Sequence, residues 1–211
     1  MTKEHKKYLT PRDIASAKKK EHIFNISMEL FQQYGYNNVT MKTISRESGI
    51  SEGSIYNFFG EKAGILSMLT EQLQQRLYPL IEPNEENLKN PMETIYRYMM
   101  AQSDEYEKLG KDIGDVYLSN SGKHFMSRLH QCENFMATVK ITAPDLVIYL
   151  ETAIEENRME CTIDHVEFAY ILASQGSGML HTWISYGGEY SLHDTTSQVF
   201  RDVIRQFVKN K

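Results

Sequence analysis

Cysteine is scarce in this chain: Cys132 and Cys161 are its two thiols, with no Cys-x-x-Cys spacing. That excludes a disulfide framework and suits a reducing compartment. No apolar run approaches the ~18 residues a membrane helix needs, and the opening MTKEHKKYLT is too polar for a secretory signal. A cytoplasmic protein with no membrane partner is expected. Catalytic signatures are missing too, with no GxSxG, HExxH or Walker loop, so an enzyme is not expected. His124, His130 and Cys132, or Cys161 and His165, fall short of four ligands at recognisable spacing, and neither a metal nor a cofactor is expected.

What is present suits a folded domain. Hydrophobic residues make up 41% of 211 and charged residues 24%, close to soluble averages, and the length accommodates one large domain or two small ones. Charge is divided unevenly. Residues 1–62 hold ten Lys and Arg against seven Asp and Glu, whereas the remainder holds thirteen against twenty-one. A net +3 end on a net −8 remainder fits an anionic partner meeting one end only, or solvated faces that fluctuate by chance.

The 12 glycines and 5 prolines fall at intervals between apolar residues at helical spacing, which predicts an all-α chain with no strand ladder. Thr10-Pro11-Arg12-Asp13 reads as a helix start. The face Ile23, Ile26, Ser27, Leu30, Phe31 and Tyr34 follows, closed by a left-handed Gly35. Two short helices at 41–48 and 52–58 are preceded by the hydroxyls of Thr40 and Ser51, and a fourth runs from Glu61 to Tyr78 before Pro79. Beyond the loop at 81–87, helices are predicted from Asn90-Pro91 to Leu109, at 111–119, at 122–140, from Ala143-Pro144 towards Arg158, at 163–186 and at 194–209.

The pair of short helices with Gly49 in the turn carries the most information. A helix-turn-helix needs a small residue near the crossing, a left-handed turn and apolar residues that close a small core. Ser45, Gly49, Ile44, Ile50, Ile55 and either Phe58 or Phe59 meet those needs. The wider stretch LFQQYGYNNVTMKTISRESGISEGSIYNFFGEKAGIL resembles the DNA-binding domain of the TetR family of bacterial transcriptional regulators. The shared parts are Leu-Phe and Gly-Tyr after helix one, Thr40, Ile44, Gly49-Ile50-Ser51, Gly53-Ser54-Ile55-Tyr56, Phe59 and Lys62, in the family's order.

The resemblance implies an N-terminal three-helix helix-turn-helix domain at 11–61. A connecting helix then joins it to a C-terminal helical effector-binding and dimerisation domain at 62–211. In the major groove, a helix reads base edges while hydroxyls, basic groups and helix N-termini hold phosphates. Gly53, Ser54, Tyr56, Asn57 and Phe58 would belong to the reading helix at 52–58, with Ser51 just before it also among the DNA-binding candidates and Gly53 allowing close backbone approach. Thr40 and Lys42 would meet the opposite groove wall. Tyr56 matches the family's recurrent tyrosine and Lys62 its phosphate-gripping lysine.

For the remainder, the resemblance implies dimerisation through the last two long helices and a pocket for an unidentified small-molecule effector. Ala169, Ala173, Gly176 and Ser177 would allow close helix approach, against Val199, Val203 and Phe207 of the final helix. Tyr96, Met99, Met100, Tyr117, Phe125, Met126 and Trp183 are the pocket candidates, since methionine and aromatic side chains line adaptable cavities. The expected protein is a homodimeric, ligand-responsive regulator, a repressor, that binds a pseudo-palindromic double-stranded DNA operator. The alternative is a helical small-molecule-binding or scaffolding protein without DNA-binding activity.

Overall fold

Thr10 and Asp13 start the first helix by satisfying each other's backbone. Thr10 Oγ1 accepts from the Asp13 N–H at 3.2 Å, and the Asp13 carboxylate accepts from the Thr10 N–H at 2.9 Å, a reciprocal pairing that covers two donors a helix start leaves free. Those bonds hold the Asp13 carboxyl below its usual range. The computed structural model describes residues 10–116 and 143–210. Within them lie α1 Pro11–Tyr34, α2 Met41–Ser48, α3 Glu52–Phe59, α4 Lys62–Leu77, α5 Pro91–Leu109, α6 Pro144–Glu155, α7 His165–Ser185 and α8 Leu192–Phe207. Residues 111–116 are also helical. The helix expected at 122–140 lies outside the described residues.

The chain divides into two compact units, Met1–Leu69 and Thr70–Lys211. The first does not end at residue 61, as read from the sequence, but takes in the start of α4, where Ile65, Leu66 and Leu69 are buried. Its core is completed by Ile23, Phe24, Phe31, Val39, Ile44, Ile55 and Phe59. Two positions depart from the predicted α1 face: Phe24 is buried, and Tyr34 is 53% exposed. Just past α1, the 3-10 turn Tyr36–Asn38 brings the Tyr36 ring edge-on to Phe31 at 4.9 Å. Gly35, at φ 79° and ψ 143°, ends α1 at positive φ without the left-handed turn expected. Gly49 does adopt that turn, at φ 68° and ψ 17°, where a side chain would be strained.

In the second unit, α5 packs most extensively against α8, and α7 packs on both and on α6. Ile95, Met99, Tyr149, Leu150, Phe168, Leu172, Phe200 and Ile204 form its centre. The unit contains a feature the sequence reading excluded. Two three-residue strands, β1 Met159–Cys161 and β2 Val208–Asn210, pair antiparallel with Cys161 opposite Val208. Three residues are too few to show the alternation that marks a strand. The final helix therefore stops at Phe207, and Val208 is buried as part of the ladder.

The loop before α5 is pinned by Asn87, which is buried. Its amide donates to Pro79 O at 3.1 Å and Glu82 O at 2.8 Å, and its Oδ1 accepts from Arg97 at 2.7 Å. Its backbone carbonyl accepts from Thr94 at 2.8 Å and from the buried Tyr149 hydroxyl at 2.7 Å. Burial pushes that phenol's pKa up to about 12, so it stays a donor at any physiological pH.

Candidate nucleic-acid interface

Helix α3 is only eight residues long, too short to be stable alone, and its inner face fixes it. Ile55 and Phe59 are buried, as large apolar side chains usually are. Ile50 in the turn is half-buried, less covered than the predicted core position required. His22 on α1 bonds through Nε2 to Ser48 O at 3.1 Å, and the Ser48 hydroxyl accepts from the Ile50 N–H at 3.3 Å. α1 and the turn are thus tied together by polar contacts as well as packing.

The opposite face of α3 is uncommitted. Tyr56 is 48% exposed, Gly53 and Asn57 are exposed, and a Cβ built at Gly53 would meet no heavy atom within 4 Å. Glycine in a helix costs about 1 kcal/mol against alanine, and no packing among the described residues explains that cost here. Phe58 is half-buried, its ring 6.4 Å from Phe59. Ser51 does not cap the helix by accepting from its backbone, as its position suggested; its hydroxyl pairs with that of Ser54 at 3.0 Å. Thr40 does cap α2, accepting from the Thr43 N–H at 3.1 Å, and Lys42 stands exposed in the same turn.

Lys62, the expected phosphate-gripping lysine, makes contacts within the chain. Its Nζ donates to Tyr36 O at 2.7 Å and Val39 O at 2.9 Å and lies 4.1 Å from the Tyr36 ring centroid. Partial burial lowers its pKa. The side chain straps the start of α4 to the 3-10 turn ahead of α2, where Tyr36 O also accepts from the Val39 N–H. Gly64 makes a second tie that the sequence reading missed. A Cβ there would come 1.8 Å from Phe59 O, so the α4 backbone seats directly on the end of α3. A glycine inside a helical pattern was the available signal.

The residues predicted for the second unit are scattered. Met99, Met100 and Trp183 are buried in packed core; the Trp183 indole donates to Tyr190 O at 2.8 Å. Tyr96 alone of the described candidates lines an open cleft, of about 270 Å³ between α5 and α8. Tyr117, Phe125 and Met126 lie outside the described residues. Of the interface candidates, Ala169 is wholly buried in its own chain. A Cβ at Gly176 would lie 3.4 Å from Met99 and Gln102, so this glycine serves approach to α5 within the chain. Val203 and Phe207 pack against the unit's own core, and the Phe207 ring lies tilted 5.8 Å from that of Phe168. Ser177 is exposed, and Ala173 and Val199 are half-buried. Helical spacing shows which residues are apolar or small, but not which neighbouring helix they meet.

A short helix held by its inner face, with a polar outer face and a left-handed turn before it, defines a helix-turn-helix domain on a helical body. Residues 23–69 match the family model for bacterial regulatory proteins, tetR family. The HTH-type transcriptional regulator HbdR of Aromatoleum sp. (strain CIB) is 30% identical over 83 residues, 39% of this chain and 36% of HbdR; the match thus spans about a third of that relative. Two solved structures show the same fold across the chain. The fatty acid degradation regulator FadR from Bacillus halodurans has a TM-score of 0.66 at 15% identity, covering 88% of this chain and 94% of that one. SmeT, the repressor of the Stenotrophomonas maltophilia multidrug efflux pump SmeDEF, has 0.60 at 16%, covering 90% of each. Among the described residues no helix is long and apolar enough to cross a membrane.

Proposed function

We propose that this chain is a homodimeric, ligand-responsive transcriptional repressor that binds a pseudo-palindromic DNA operator through two copies of α3. The outer face of α3 carries the reading: Gly53, Tyr56 and Asn57 are exposed, and among the described residues a Cβ at Gly53 would meet no heavy atom within 4 Å. Gly53 lets the backbone approach the groove, Asn57 reaches base edges or phosphates, and the Tyr56 hydroxyl donates to a phosphate. The N-terminus of α2, with Thr40 and Lys42, holds the other wall. Repression is also the role of SmeT, which shares the fold.

A second helix carries an unexplained glycine. On α7, Ser174, Ser177 and Gly178 are exposed, and a Cβ at Gly178 would meet nothing within 4 Å. Close approach of a second copy's helix would account for that, with α8 completing a four-helix interface. An effector that favours a conformation whose α3 copies no longer match the half-sites would release DNA.

Fluorescence anisotropy with DNA from upstream of the gene, at two salt concentrations, tests this reading. Steep salt dependence is expected, with Tyr56→Phe lowering affinity about fivefold through one lost charge-assisted hydrogen bond. Lys42→Ala should flatten the logarithmic salt slope by about 0.9 for each phosphate it no longer neutralises. Indifference of binding to salt and to both substitutions sinks the DNA-binding reading; a monomer in sedimentation sinks the dimer.

A further inference from the structure

The cleft between α5 and α8 stands out electrostatically. Thr70–Lys211 is acidic overall, yet here two arginines one helical turn apart, Arg201 and Arg205, line a cleft of about 270 Å³ with Asn90, Met92, Glu93, Tyr96 and Ile204. Neither arginine forms an ion pair within 4.0 Å among the described residues. Glu93 lies on the cleft wall, and Asp202 is the other acid near Arg201.

Tyr96 organises the site. Its hydroxyl shares a 2.8 Å hydrogen bond with Ser197 Oγ and accepts from the Arg201 guanidinium at 3.1 Å. The guanidinium lies 4.8 Å from the centre of the phenol ring. A cation–π contact and a single hydrogen bond hold Arg201 against Tyr96 while using one of its five N–H groups. Arg205, one turn along, makes no hydrogen bond or ion pair among the described residues. Such forks match the oxygens of a carboxylate or phosphate better than any other group, and Met92 offers apolar surface beside them.

We propose that this cleft binds a small organic anion, with its oxyanion on Arg201 and Arg205 and its apolar arm along Met92. Tyr96 acts as a positioning residue for Arg201. The site differs from the buried Met99, Met100 and Trp183, and its binding is read without DNA, so its failure leaves the DNA-binding reading standing.

The test is thermal unfolding of the full chain titrated with octanoate, octylamine or inorganic phosphate, used as probes. Octanoate should raise the melting temperature saturably, inorganic phosphate should do so more weakly, and octylamine not at all. In the Arg201→Gln, Arg205→Gln double variant the octanoate affinity should fall roughly tenfold or more, the loss expected from removing charge-assisted hydrogen bonds. Both side chains are exposed, so the variant should fold. Arg158→Gln, at a surface pair with Glu85 that does not line the cleft, should leave the response unchanged. The proposal is overturned by an undiminished response of the double variant, by no saturable response to octanoate, or by phosphate or octylamine matching octanoate.

Discussion

Polar groups are used differently in the two units. In the first, the Thr10–Asp13 and Thr40–Thr43 pairs are three residues apart, and Lys62 reaches back 26 residues to Tyr36. In the second, the Tyr149 hydroxyl meets Asn87 across 62 residues, Glu107 accepts from the Leu192 N–H across 85, and Tyr96 meets Ser197 across 101. The first unit is a motif whose parts specify one another locally, leaving one face free. The second is a tertiary assembly whose parts find their roles only on packing. Local signatures therefore identify the first unit, and say little of the second.

The contrast breaks most visibly at Gly64. Gly64→Ala removes a glycine from a helix, which by propensity alone gains about 1 kcal/mol. The Cβ 1.8 Å from Phe59 O should instead cost the first unit about 3 kcal/mol through overpacking and displace α3. Amide exchange across residues 41–59 of the full chain should quicken; unchanged or slower exchange would show that the close seating is unnecessary. Asn87→Ala is the counterpart in the second unit. Removing the side chain leaves two carbonyls and the Arg97 guanidinium without a partner, an expected loss of about 2–3 kcal/mol seen in denaturant unfolding, with exchange in the first unit unaffected.

Gly53 sharpens the comparison by reversing the sign. Gly53→Ala should stabilise α3 by about 0.5–1 kcal/mol, since a Cβ there meets nothing, and should weaken operator binding about tenfold if the DNA backbone approaches that surface. A gain in stability with unchanged affinity would mean the glycine serves no contact with DNA.

The smallest expected effect concerns pH. His193 bonds to Asp104 at 2.5 Å, linking α8 to α5, and that bond raises the imidazole pKa, with Asp194 and Glu107 acting in the same direction. A folded value above the unfolded ~6.5 means the stabilisation is complete below about pH 6.5 and lost as pH rises through the folded value. Because both side chains are more than a third exposed, the change should stay under about 1 kcal/mol. Stability measured from pH 5.5 to 8.5 should show it, and Asp104→Asn should remove it.

The elements most legible in the sequence were those with their own end signals. Thr10, Thr40 and Asn90 cap helices as read, and Gly110 follows α5. Each of these signals is a bond between neighbours along the chain. Ser51 looked equivalent but bonds to Ser54, because a hydroxyl has several partners within reach and the sequence does not rank them. Lys62 was legible as a position and not as a role, since the carbonyls it meets come from a turn that only the folded unit presents. The small residues of α7 form a single set in the sequence. Tertiary packing divides them between the chain's own core, as at Ala169 and Gly176, and an open face, as at Ser177 and Gly178.

Local composition and spacing by themselves determined the helices, the left-handed turn at Gly49 and the identity of the helix that faces outward, because caps, turns and amphipathic faces arise from forces acting within a few residues. Tertiary structure decided where Lys62 spends its charge, which glycines seat a neighbouring helix, that Val208 joins a strand, and that Arg201 stands over Tyr96. Those outcomes depend on which surfaces meet, and burial and hydrogen-bond satisfaction act on distances in space rather than along the chain.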